Sequence, residues 1–429
     1  MISPGAVALL LVVLLVGLGT GLPIAFSLGL AGIATILAAS GERFLMQLPL
    51  TLYRALSDPI ILAIPLYILM GEILFRGKVG QQLFAVANAW LHRVRGGTGV
   101  AAVAAFTFFA AIVGSSMASV LTIGKIAIPE MRALGYGKTL SYGLSAVGGA
   151  LGILIPPSIP LIIYASLSNA SPGQLFTAGI VPGLLLAALL AVWAVIAAPP
   201  LQRHDDEAWS FHAALRLTLA SLPDLALPVV VLGGIYLGIY TPTEAAAVGV
   251  AYAVLLTMVL RHTVRLVDLP EILRSATRSS AMLLAIVIGA LVLGSALTLI
   301  GLPQMLTRMV MQAELAPWVV LLIMNLIWFV LGCFLEVISI LLITVPVFYP
   351  VAKAVGFDPI WFGIILVINM ELAVITPPVG MNLFALKAIL PGERLETITR
   401  AAVPSVGLVL VALVLVWVFP SLALYLPRH

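Results

Sequence analysis

The chain has 429 residues, of which 62% are hydrophobic and 9% charged, with a formal net charge of +4 and a mean hydropathy of +1.21. A soluble globule carries about a quarter charged residues, so this composition excludes one and defines a polytopic membrane protein. The apolar runs, roughly 17 to 27 residues long, lack alternation of period two, which fits about 20 residues per crossing helix and excludes a porin-like barrel.

In chain order, nothing before Glu42 is charged, so the first segment lacks the basic start of a signal peptide and reads as a retained helix. Segments 5–20 and 23–39 meet at Gly21-Leu22-Pro23 as a tight helical pair. Residues 41–57 mix charges with Leu, Phe and Tyr, the pattern of a helix lying in the interface. A span follows at 59–75, and 76–97, with Arg76, Lys78, Arg93 and Arg95 around Trp90, is interfacial again. Stretch 98–131 is interrupted at Val113-Gly114-Ser115-Ser116. Each flank, about 15 residues, is short for a crossing at 1.5 Å per residue, so a re-entrant helical hairpin is expected.

Residues 141–167 contain Gly148 through Ser158, with Pro156-Pro157 in the middle of an apolar stretch. Two prolines in succession remove two backbone donors and stop the helix, and lipid cannot satisfy the freed carbonyls. Such a break is tolerated at membrane depth only against protein, ion or water, so it marks a binding site. A span at 173–198 and a polar stretch, Gln202-Arg203-His204-Asp205-Asp206-Glu207, follow. The chain divides there into a first repeat, 1–205, a linker, 206–222, and a second repeat, 223–429.

The second half says the same things again. Pro49, Pro129, Gly135, Pro156 and Pro157 recur as Pro270, Pro350, Gly356, Pro377 and Pro378, each pair 221 positions apart. The interfacial 41–57 is thus mirrored by 262–280, the hairpin by 316–350 with its break at Gly332, and the broken helix by 359–387. Helices at 226–240 and 243–260 mirror the opening pair. Most of the 21 Lys and Arg residues, Arg76, Arg132, Arg261 and Arg394 among them, gather on one side, while Arg43, Arg54, Arg308, Lys353 and Arg428 lie on the other. The first side is therefore cytoplasmic and both termini face outward. An odd number of crossings per half makes the repeats inverted, the architecture of secondary transporters with a midplane site. The expected fold is all-α and polytopic, two inverted repeats each with one re-entrant hairpin and one broken helix.

Sodium is a hard cation that takes oxygens, which freed carbonyls and hydroxyls supply. The candidate ligands are Gly114, Ser115 and Ser116 with Gly152 and Pro156, and in the mirror site Gly332 with Thr376, Pro377 and Gly380. The plainer reading is that Gly and Pro permit close packing and the hydroxyls bond back to the preceding turn. Hairpin-tip amides and half-helix N-termini suit a carboxylate, with Ser119, Ser158 and Asn382 as further hydrogen-bonding candidates or as polar links between helices. Glu336 and Glu371 are possible coupling residues, because buried carboxylates in membranes are costly. The alternatives are an N-cap for Glu336 and an interhelical hydrogen bond for Glu371. Cys333 is the one cysteine, and no Cys/His cluster offers a metal site or cofactor. No basic patch interleaved with aromatics points to nucleic acid. Neither Gly-x-Ser-Gly with His nor His-Glu-x-x-His is present for an intramembrane enzyme.

Through Ile64-Pro65-Leu66-Tyr67-Ile68-Leu69-Met70-Gly71-Glu72, Gly114-Ser115-Ser116, Ile128-Pro129-Glu130-Met131, Gly149 to Ser158 and Thr376-Pro377-Pro378-Val379-Gly380, the chain resembles the large membrane subunit of the tripartite ATP-independent periplasmic (TRAP) transporters. Ala373 stands where many members have glycine. The resemblance implies sodium-driven uptake of organic acids such as C4-dicarboxylates or sialic acids across a bacterial or archaeal cytoplasmic membrane. It also implies an elevator motion, a soluble periplasmic binding protein that delivers the substrate and a small four-helix membrane subunit. A self-sufficient divalent-anion/sodium symporter is the competing expectation; such proteins show Ser-Asn-Thr phrases at their hairpin tips, where this chain has Gly-Ser-Ser and Gly-Cys-Phe-Leu-Glu.

Overall fold

The computed structural model describes residues 4–200, 210–378 and 380–428. Among them every regular element is a helix. Six helices among the described residues are long and apolar enough to cross a membrane, or seven if the pair Phe211–Ala220 and Leu222–Tyr236, bent by 49°, is one span.

The opening pair, Pro4–Gly19 and Ile24–Ser40, turns at Gly21, whose φ of +78° is open to glycine without strain. Ile24–Ser40 lies along Leu269–Leu299. A Cβ on Gly32 would stand 2.8 Å from the Leu293 nitrogen, and one on Gly289 would stand 2.2 Å from the Ala25 oxygen. Small residues therefore let these two backbones touch, the usual basis of helix association where lipid removes the hydrophobic drive. Pro59–Arg76 starts sharply because Pro59 fits the first helical position and the Asp58 carboxylate accepts from the Ile60 amide at 2.9 Å. It packs on Pro242–Val254 and on Leu269–Leu299, giving a frame of long helices.

Inside this frame sit the interrupted elements. The first hairpin runs in through Gly97–Val113 and returns over 116–133. The first broken helix is Lys138–Ala150, a short turn Leu151–Ile153, and Ile159–Ser168. The second hairpin is Pro317–Gly332 and Val337–Val355, and the second broken helix is Pro359–Ile375 and Met381–Ile389. Leu395–Val418 packs on both Lys138–Ala150 and Pro359–Ile375, joining the two broken helices into one body. Pro156-Pro157 and Pro377-Pro378 are both cis.

The structure corrects three boundaries. Residues 262–280 are not a separate interfacial helix: Leu269–Leu299 is one helix of 31 residues. The first half stops between Leu56 and Pro59, whereas the matching residues Arg278-Ser279-Ser280 contain no proline to break the run. The second hairpin breaks directly after Gly332, the last residue of its helix; the tip is 333–336, and the return limb runs on past Pro350, its expected end, to Val355. Part of the 206–222 linker is the helix Phe211–Ala220, started by Ser210, whose hydroxyl accepts from the Ala213 amide at 3.3 Å. Its Thr218 accepts from the Trp90 indole at 2.9 Å, tying it to Val79–Leu91. Residues 201–209, which hold the charged part of that linker, lie outside the described residues.

Candidate functional site

The first tip rests on the first break. Gly114 has φ +63°, and a Cβ there would stand 2.4 Å from the Pro157 oxygen. A Cβ on Gly152 would meet the Ser115 carbonyl carbon and oxygen at 3.0 Å. Both glycines therefore let backbone lie on backbone, and any side chain would lift the tip off the break. Ser119, fully buried, donates to the Ser115 oxygen at 2.9 Å. Pro156 is buried in the same contact region. Ser158 is fully buried as well; its hydroxyl donates to the Ile153 oxygen and accepts from the Leu161 amide at 3.4 Å, so it is the N-cap of the half-helix Ile159–Ser168.

The second break is more open. Pro377 and Pro378 are exposed and Thr376 is half-buried, its hydroxyl donating back to Leu372 in its own helix. Gly380, at φ +35°, faces the Thr376 oxygen, 2.9 Å from where a Cβ would lie. Asn382, fully buried, donates from Nδ2 to the Ala146 oxygen at 2.8 Å and so links the second break to the first broken helix; its Oδ1 has no partner. Glu336 takes the N-cap position of Val337–Val355 without capping it, and accepts from the Ser339 hydroxyl at 3.2 Å. Gly332 packs against Ala373 at the end of its helix. Glu371 has no hydrogen-bond partner on either oxygen, so the interhelical bond expected of it is absent.

Both tips converge on one cavity of about 380 Å³. Gly114, Ser115 and Ser116 line it from the first hairpin and Glu336 from the second, with Met381 of the second half-helix beside them. The opposite wall is the frame, contributing Glu72 from Pro59–Arg76 and Ser279 from Leu269–Leu299. The remaining candidates, Gly152, Pro156, Gly332, Thr376, Pro377, Gly380, Ser119, Ser158, Asn382 and Glu371, do not line it. Sequence reasoning missed Glu72 and Ser279. Glu72 lay in a phrase carrying the family resemblance, and its charge in an apolar helix was the available signal; Ser279 carried none. Behind Glu72, Arg76 stands 3.7 Å away and bonds Glu271 at 2.7 Å, strapping the two frame helices together. The Asn325–Asn369 pair, with Asn369 Nδ2 donating at 2.9 Å to Asn325 Oδ1, also went unnoticed and fixes the second hairpin to its broken helix.

A cavity lined by two helical tips on one side and by other long apolar helices on the other fits a multi-pass helical transporter. The structure is similar to that of the Alcanivorax borkumensis YdaH transporter, with a TM-score of 0.57 at 16% identity over 97% of this chain and 98% of that one. Over residues 11–422 the sequence matches the family described as tripartite ATP-independent periplasmic transporter, DctM component, and the chain belongs to that family. It is 40% identical over 407 residues to the C4-dicarboxylate TRAP transporter large permease protein DctM of Pseudomonas aeruginosa, covering 94% of each chain. It is 33% identical over 411 residues to the sialic acid TRAP transporter large permease protein SiaM of Vibrio cholerae, covering 95% of each.

Proposed function

We propose that this chain is the large, translocating membrane subunit of a sodium-coupled importer of small organic acids, of the C4-dicarboxylate or sialic acid type. The observation that carries the reading is the convergence of Gly114-Ser115-Ser116 and Glu336, from opposite halves of the chain, on one cavity against the frame. The N-terminal ends of both return limbs line that cavity, and the partial positive charge of helix N-termini suits a carboxylate. Sodium ions are the coupling ions, held by oxygens at the tips and breaks, Ser115 and the Thr376 region foremost. The hairpins and broken helices form the moving body of an elevator and the remaining helices its frame. The protein sits in the cytoplasmic membrane of a bacterium or archaeon with both termini outward. It works with a small four-helix membrane subunit and receives its substrate from a periplasmic binding protein.

The test is uptake of a labelled dicarboxylate or sialic acid into proteoliposomes holding this chain and its small partner, with and without the binding protein, under an inward sodium gradient or none. Uptake that needs both the binding protein and the gradient supports the reading. Uptake by this chain alone would replace it with a self-sufficient symporter, and gradient-independent flux would remove the sodium sites.

A further inference from the structure

Glu371 lies one turn before the second break, in Pro359–Ile375. It is 0% exposed, and no donor reaches either carboxylate oxygen. It does not line the cavity between the tips. A carboxylate taken out of water without a partner is unstable as the anion and takes up either a proton or a cation.

The helices packed on Pro359–Ile375 offer no compensating charge. Pro317–Gly332 and Pro172–Ala197 carry no titratable side chain. On Lys138–Ala150, Lys138 and Tyr142 both bind Glu393. On Ile159–Ser168, Tyr164 donates to the Pro359 oxygen; on Val337–Val355, the Tyr349 ring stands against Tyr164 at 6.3 Å and Lys353 is exposed. Lys387 of Met381–Ile389 bonds the Pro391 oxygen, and Glu396 and Arg400 of Leu395–Val418 pair with each other. A sodium ion would need a shell of several oxygens around it, and no hydroxyl bonds either Glu371 oxygen. A proton needs no shell.

We propose that Glu371 is a proton-binding site: the chain folds with this carboxyl as the neutral acid, so the body that contains the two breaks carries a bound proton. The site belongs to the second half alone, because the residue 221 positions earlier is Ala150. The inference is independent of which substrate, if any, the cavity takes.

The test compares SDS-induced unfolding of the purified protein and its Glu371→Gln variant in mixed micelles from about pH 6 to about pH 9. Above the ordinary glutamate value of about 4.3 the unfolded chain releases this proton while the folded chain keeps it. The wild-type unfolding constant should therefore rise by about tenfold per pH unit relative to the variant, in which nothing ionises at this position. Parallel curves overturn the proposal. So does a variant that loses the stabilisation sodium gives the wild type, since Glu371 would then be an ionised cation ligand. If Glu371→Gln fails to fold, infrared spectra of wild-type protein labelled with carbon-13 at glutamate decide the matter. A protonated-carboxyl band at neutral pH that persists in Glu336→Gln supports the site, and its absence or its loss in Glu336→Gln refutes it.

Discussion

Gly332 and Ala373 meet where the inbound limb of the second hairpin crosses the second broken helix: a Cβ on Gly332 would lie 2.2 Å from the Ala373 Cβ and 3.0 Å from its Cα. The first half places Ala111 and Gly152 at the corresponding positions, 221 residues earlier, so glycine and alanine have exchanged places between the halves. The Ala373 methyl is thus accommodated by a glycine opposite it. Gly332→Ala should overpack this crossing, cost about 1–3 kcal/mol and slow uptake. Gly332→Ala with Ala373→Gly should recover part of the loss. Unfolding in mixed micelles measures both, and a single variant as stable as wild type would refute the contact.

Asn382 and the Ala146 carbonyl are the polar link between the two breaks. Asn382→Ala removes a buried hydrogen bond worth on the order of 1 kcal/mol in a membrane interior. It should lower both stability and uptake rate, while Asn382→Asp should do more harm by placing a carboxylate against the Ala146 carbonyl in a buried site. Full uptake by Asn382→Asp would show that this link is dispensable.

Ser115 and Ser158 look alike in the sequence and should respond differently. Ser115 lines the cavity, so Ser115→Ala should raise the sodium or substrate concentration needed for half-maximal uptake with little change in stability. Ser158 caps a half-helix, so Ser158→Ala should cost about 1 kcal/mol of stability, with a smaller effect on either concentration dependence. Transport titrations and unfolding curves on the same two variants separate these roles.

Glu393 closes the end of the first broken helix, with Lys138 Nζ at 2.6 Å and the Tyr142 hydroxyl donating at 3.0 Å. The Lys138 ammonium foremost, and the Tyr142 hydroxyl after it, hold the carboxyl below the usual glutamate range against partial desolvation. Its contribution is present above the ordinary value of about 4.3 and is lost as the pH falls through the lowered folded-state value. Protection from hydrogen exchange over 387–394, taken relative to the unstructured rate at each pH, should therefore fall in wild type only on strong acidification, and should already be low at neutral pH in Glu393→Gln. Protection in wild type that does not change with acid would count against the tie.

The positions of the breaks were legible because proline acts through its own covalent structure: Pro156-Pro157 and Pro377-Pro378 lack the donors a helix needs whatever surrounds them. At Gly332 the glycine read as a break does end its helix, and it is at the same time a packing surface for Ala373. The same locality misled at 262–280, where an amphipathic start continues into the span because no proline stops it.

The sequence by itself determined an all-helical membrane protein, the two proline breaks and the spacing that repeats between its halves, since these follow from composition and from backbone chemistry within a few residues. Which side chains share the cavity was decided only by the tertiary structure. Glu72 and Ser279 reach it because two frame helices far apart in sequence pack beside the tips, and Ser158 is withdrawn from it because its hydroxyl is used by the backbone of its own break. Glu371 lost every partner in the same way, because the rotation of Pro359–Ile375 against its neighbours is set by the whole packed body and by no single stretch of chain.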